Sequence, residues 1–186
     1  YIAENEEFDY VIVMDSDGED KPETIIDIFN KLIEFPDKTI VVNRFRRNEN
    51  ILYKLMYEVH KIITLISTGE LIKFGNFICL PKNHVKKIIH EGDLWNCFPG
   101  TVAKKIKEKK SIKKDRGIRY FGPSKMSFIK LIHHSFTIIS VFIKKVFLRF
   151  FLASLFYIFI IYEKISLISL MPVFFLLFFL TIIFFI

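Results

Sequence analysis

Four carboxylates fall within six residues where the apolar run Phe8 to Met14 stops: Asp15, Asp17, Glu19 and Asp20. Packed this closely, they repel one another unless something positive sits among them. A divalent cation with oxygen ligands, itself holding a diphosphate, is a natural partner. Gly18 lets the backbone turn sharply, so that more than one carboxylate faces the same point. The alternative is a solvated acidic turn that caps the following helix through Asp20 or Glu23.

Two groups of cations could meet a diphosphate. Arg44 and Arg46 follow the run Thr39-Ile40-Val41-Val42-Asn43. Arg119 opens the segment Arg119-Tyr120-Phe121-Gly122-Pro123-Ser124-Lys125. Arginine offers a planar fork of donors for phosphate oxygens, and lysine adds a point charge. Gly122 permits close backbone approach, and Ser124 can donate one more hydrogen bond. The competing readings are a surface arginine cluster and a basic juxtamembrane segment that binds lipid headgroups. Asp93, in His90-Glu91-Gly92-Asp93-Leu94-Trp95, is a candidate general base for a hydroxyl acceptor, or else a helix cap or turn. Trp95 and Phe98 suit an acceptor wall or core packing. The five histidines show no metal-ligand spacing, and Cys79 and Cys97 suggest neither a disulfide framework nor a zinc site. A reducing compartment is expected.

The elements that must position these residues read as α/β. The run ending at Met14 suits a strand buried on both faces, as in a parallel sheet. Ile25, Ile26, Ile28, Phe29, Leu32 and Ile33, after Pro22, fit an amphipathic helix, and Thr39 to Val42 reads as the next strand. Strand, acidic loop, helix and strand make a βαβ unit. Further along, the pattern predicts helices over 51–66, 82–90 and 101–109, and a strand over 76–80. The soluble part ends near Gly122-Pro123.

Hydrophobic residues make up 52% of the 186, and Phe alone contributes 22. Their concentration after Ser135 splits the chain into a soluble part and a membrane part. Residues 166–186 carry no charge and meet the roughly 20 needed to span a bilayer. Residues 146–162 are shorter, and gain length by tilting or by snorkelling of Arg149. Only Glu163 and Lys164 separate the two, which marks a tight hairpin. Residues 127–145 mix apolar positions with lysines and histidines, as an amphipathic helix in the membrane surface does. The net charge of +7 is concentrated just before these segments. It therefore points to a phosphorylated substrate or an anionic membrane face, and nucleic acid is disfavoured because no recognition motif accompanies the lysines. Lysines before the first span favour a cytoplasmic soluble part.

The strand followed by Asp-x-Asp-Gly-Glu-Asp-x-Pro-Glu and an amphipathic helix resembles the metal and nucleotide-sugar loop of family 2 glycosyltransferases. The nearest subgroup is that of dolichyl-phosphate mannosyltransferase and polyprenyl-phosphate glycosyltransferase relatives. Val41 to Arg47 resembles that family's strand ending in a phosphate-facing arginine, and Arg119 to Lys125 its Arg-x-x-Gly-x-Ser-Lys element before the membrane. The resemblance implies a partial GT-A (Rossmann-like) domain over 1–124, a juxtamembrane amphipathic helix over 125–145 and a two-helix transmembrane hairpin over 146–186. It implies an inverting hexosyl transfer from a nucleotide-diphosphate sugar to a polyprenyl phosphate, dolichyl or undecaprenyl, at the cytoplasmic face of the plasma or inner membrane, in cell-envelope biogenesis. Asp15 and Asp17, with Glu19 as a third ligand, would hold Mg2+ or Mn2+. Asp17 would belong to the catalytic centre, and Arg44, Arg46, Arg119, Ser124 and Lys125 would bind phosphate.

Two other functions stay open: transfer to a hydroxyl of a lipid-linked or cell-envelope glycan with Asp93 as base, and non-catalytic binding of anionic lipid. The family's first strands and its Asn-Glu base-recognition turn have no counterpart here. Roughly 80 to 100 residues of such a domain are expected before Tyr1, and the fragment alone is expected to be inactive. The whole reading requires the acidic loop and the arginines to share one cleft.

Overall fold

The structure, a computed structural model, describes residues 2–44, 51–122 and 127–185. Contacts divide the chain into two compact units, one of residues 1–58 and 72–126, the other of residues 59–71 and 127–186.

The first unit is a mixed α/β layer structure. After a short helix α1 (Ile2–Asn5), strand β1 (Tyr10–Val13) leads through the acidic loop to α2 (Thr24–Glu34) and β2 (Thr39–Arg44). β3 (Phe74–Pro81), α4 (Lys82–Ile88), α5 (Asp93–Asn96), α6 (Phe98–Lys105) and β4 (Lys109–Lys114) follow. The sheet order is β1-β3-β2-β4. β3 runs antiparallel to both β1 and β2, and β4 runs parallel to β2.

The period of two along the strands builds two cores, one on each face of the sheet. Ile40, Val42, Phe77 and Cys79 point to one face and pack with Ile28 and Leu32 of α2. Val41, Ile78 and Leu80 point to the other and pack with Val85 and Ile88 of α4 and Val102 of α6. β2 and β3 therefore read as unbroken apolar runs because both of their faces are covered. Burial pushes the Cys79 thiol up to about 12, so it packs as a small hydrophobe. On β2, the Thr39 hydroxyl lies 2.8 Å from Nδ1 of His84, both side chains buried. Burial lowers the His84 pKa and keeps the ring neutral.

Two elements differ from the expectation. β1 is an edge strand, all four residues half-buried, rather than one covered on both faces within a parallel sheet. It pairs antiparallel with β3, which stands between β1 and β2. The expected helix over 101–109 starts earlier and stops at Lys105, and 109–114 is strand β4. β4 is the opposite edge. Only Ile112 reaches the core, while its lysines stay at the rim, where charge blocks pairing with another chain.

The second unit contains the end of α3 (Ile51–Thr68), then α7 (Phe128–Ser140), α8 (Ile143–Ile161), a 3-10 turn (Tyr162–Lys164) and α9 (Leu167–Phe184). Residues 143–164 and 167–184 are long and apolar enough to cross a membrane. Ser127 caps α7, and Ser166 with Ser169 forms a capping box on α9. Phe179 of α9 packs against Phe136 of α7 and Phe150 of α8, with ring centroids 5.5 and 5.7 Å apart. The Tyr157 hydroxyl donates to the Ser169 carbonyl at 2.9 Å. The Arg149 Nη1 of α8 donates to the Ile66 carbonyl at 3.0 Å. A helix end leaves its last carbonyls without intrahelical partners, and Arg149 supplies one to α3.

Candidate functional site

The acidic loop leaves the end of β1 and is held in shape by its own backbone. The Asp15 amide donates to Oδ2 of Asp20 at 3.0 Å, and the Glu19 amide to Oδ1 of Asp17 at 3.0 Å. Asp20 is buried and closes the loop; the first turn of α2 has no side-chain cap from Glu23. From β3, Asn76 Nδ2 donates to Oδ1 of Asp15 at 3.0 Å and orients that carboxylate. Gly18 takes φ +91°, a conformation that favours glycine.

Residues 116–120 lie against this loop. The Gly117 amide donates to the Glu19 carbonyl at 2.8 Å and the Tyr120 amide to the Asp17 carbonyl at 3.0 Å. The approach is so close that a Cβ on Gly117 would come within 2.2 Å of the Gly18 carbonyl oxygen. This backbone pairing delivers two guanidinium groups to the carboxylates. Arg116 Nη2 bonds Oε2 of Glu19. Arg119 Nε donates to Oε1 of Glu19 at 2.8 Å, and its Nη2 lies 3.3 Å from Oδ2 of Asp17. Burial alone would push the Glu19 carboxyl up, but hydrogen bonds and charge from Arg119 and Arg116 together hold it below the usual carboxylate range. The same contact with Glu19 raises the Arg119 pKa.

Of the arginines named from the sequence, Arg119 faces the loop's acids, and Arg116 joins it there. A water-sized hollow beside them is lined by residues that include Glu19, Lys21, Thr24, Lys114 and Arg116.

The donor set suits a hard divalent cation in kind, since it is all carboxylate. Glu19 is committed to the two arginines, and among the described residues no group of three or more His, Cys, Asp or Glu side chains converges. Asp15 and Asp17 are the other two carboxylates of the expected set; Asp15 accepts from Asn76, and Asp17 lies 3.3 Å from Arg119. Mg2+ is commonly held by one or two carboxylates plus substrate phosphates and water, so the pair fits such an ion.

The other expected residues are placed differently. Arg44 ends β2; its side chain, like Arg46, Ser124 and Lys125, lies outside the described residues. Asp93 starts α5 and pairs with Lys104 of α6 at 2.5 Å, beside a Glu91–Lys105 pair at 2.6 Å. Phe98 packs against the core, whereas Trp95 is 92% exposed. Three residues that sequence reasoning did not single out have clear roles here: Arg116, Gly117 and Asn76. The spacing Arg116-Gly117-x-Arg119 is a signal for the first two; nothing local marks Asn76, which is 61 residues from its partner. No protein-family model and no curated protein matches this chain, so its functional reading rests on the chemistry of this loop and on the apolar helices.

Proposed function

We propose that the chain belongs to a membrane-bound inverting glycosyltransferase that moves a sugar from a nucleotide diphosphate to a polyprenyl phosphate, with its catalytic part on the cytoplasmic side. The observation that carries this reading is the alternation of acids and guanidinium groups at the end of β1, with Asp17 and Glu19 facing Arg116 and Arg119. A donor carrying a cation and a diphosphate needs both signs of charge side by side. A divalent ion held by Asp15 and Asp17 would supply charge neutralisation for the leaving diphosphate. Arg119 and Arg116 would bind phosphate oxygens in forked geometry, and Glu19 would keep the two guanidinium groups aimed. Asn76 would hold Asp15 in its working orientation.

The acceptor follows from the same considerations. A phosphate acceptor is already ionised and needs positioning more than a base. The Asp93–Lys104 pair favours this acceptor over a hydroxyl, because Asp93 is engaged by a cation. The apolar helices of the second unit suit a lipid-borne acceptor.

The test is sugar transfer to polyprenyl phosphate in membranes carrying the full-length polypeptide. Asp15→Asn and Asp17→Asn should each lower metal-dependent transfer by about a hundredfold or more, the scale of losing one charge-stabilising group. Asp93→Asn should leave the rate near normal. Unchanged transfer in both loop variants would overturn the metal assignment, and a large loss in Asp93→Asn would move the acceptor to a hydroxyl.

A further inference from the structure

In the second half of α3, the usual distribution of side chains is inverted. Val59, Ile62, Ile63, Leu65 and Ile66 are exposed, between 42% and 63%, while Thr64, Ser67 and Thr68 are no more than 3% exposed. A helix on a soluble domain turns its apolar stripe to the core and its small polar residues to water. Here the small polar residues face the protein. Two of them are satisfied locally: the Thr68 hydroxyl donates to the Thr64 carbonyl at 2.7 Å and accepts from the Glu70 amide at 3.1 Å, and the Thr64 hydroxyl lies 3.4 Å from Nδ1 of His60.

We infer that this half of α3 is a third membrane-contacting element, lying in the lipid interface with Val59, Ile62 and Ile66 in the acyl boundary. The occupant of its apolar face is the bilayer because of what holds the helix. It belongs to the same compact unit as α8 and α9. Arg149 of α8 donates to the Ile66 carbonyl, and Lys145 of α8 pairs with Glu70 at 2.9 Å. Gly69, at φ +75°, ends α3, and a Cβ there would come within 2.2 Å of Arg149 Nη2. Arg149 lies about 9 Å along α8 from Ile143 by helical rise, close to the depth of about 5–10 Å at which interfacial helices sit. The whole of α3 extends about 27 Å, but Lys54, Glu58 and Lys61 interrupt its sequence, unlike the uncharged run of about 20 residues that crosses a hydrocarbon core, so the helix lies on the membrane and does not cross it. Lys144, exposed on α8, supplies a cation that anionic headgroups attract.

The inference rests on α8 and α9 being membrane spans, and the experiment separates the two. In a background in which Trp95, the one tryptophan of these 186 residues, and any other tryptophan of the full-length polypeptide are replaced by Phe, the protein is reconstituted in vesicles of phosphatidylcholine and phosphatidylglycerol. Single probes are Ile62→Trp on α3, Phe159→Trp on α8 and Asp37→Trp on the exposed turn before β2. Fluorescence is quenched by brominated lipid from the bilayer or by acrylamide from water. The Ile62→Trp probe should lose fluorescence to brominated lipid as the Phe159→Trp probe does, and should resist acrylamide. Acrylamide quenching at Ile62→Trp equal to that at Asp37→Trp would overturn the inference while leaving the spans intact. Protection from both quenchers would also overturn it, and would mean that protein, such as a second copy, covers the face. Failure of brominated lipid to reach Phe159→Trp would remove the spans, and this inference with them.

Discussion

Glu19 shows how a single side chain changes meaning between sequence and structure. As one of four clustered acids it looks like a metal ligand; in the fold it is the group that both arginines grip. Its pKa is depressed, so its contribution to stability is present above the usual carboxyl value of 4.5 and is lost as pH falls through the lower folded value. Below that point the protonated acid no longer holds two guanidinium groups, and segment 116–120 loses its anchor. Glu19→Gln reproduces the acid state at neutral pH. It should destabilise the first unit by about 1–2 kcal/mol, as expected for a pair only partly shielded from water. Amide exchange at Gly117 and Tyr120, whose N–H groups bond the loop, should accelerate in the variant and no longer respond to acid between pH 5 and the folded pKa of Glu19. Unchanged protection at both amides would show that the ion pairs do not hold the segment.

At the scale of elements, the site is a meeting of two loops set by backbone geometry. Gly18 and Gly117 face each other, and neither tolerates a methyl group: at Gly18 a Cβ would meet the Ile118 carbonyl oxygen and the Tyr120 ring at 2.9 Å. Gly117→Ala must push segment 116–120 off the loop, at a cost of about 1–3 kcal/mol for overpacking. It removes no charge, yet should lower transfer as strongly as Arg119→Ala while leaving the apolar core and its circular dichroism intact. Full activity in Gly117→Ala would separate the arginines from the proposed chemistry. Much of this frame was legible in advance. The carboxylate spacing, the helix after Pro22 and the apolar runs of β2 and β3 carry their structure in local pattern. β4 was not, because Lys109-Lys110-Ser111-Ile112-Lys113-Lys114 buries one side chain at an edge and shows no alternation of apolar residues. The antiparallel place of β3 between β1 and β2 was hidden for a related reason, since a strand covered on both faces reads alike in either direction. Asn76 was invisible because its role exists only once β3 lies beside the loop.

At the scale of the whole molecule, the composition already separates a charged part from an apolar one, and the two compact units largely follow that division. The exception is 59–71, which joins the apolar unit although its lysine, histidine and threonines make it look soluble in sequence. The basic residues just ahead of and early in α8, Lys130, Lys144, Lys145 and Arg149, predict by the positive-inside rule that the first unit stays cytoplasmic. A hairpin of two spans then puts the turn at 162–164 on the opposite face. The native thiols make this measurable without removing them. Cys79 and Cys97 are both buried, and burial raises both pKa values, so neither offers a thiolate to a maleimide at neutral pH. Glu163→Cys in intact cells should react with a membrane-impermeant maleimide, whereas Asp37→Cys should react only after permeabilisation. The reverse pattern would invert the orientation and place the acidic loop where nucleotide sugars are not made. Reaction of both positions from the outside would mean that α8 and α9 do not cross the bilayer, leaving a protein whose apolar helices lie on one surface.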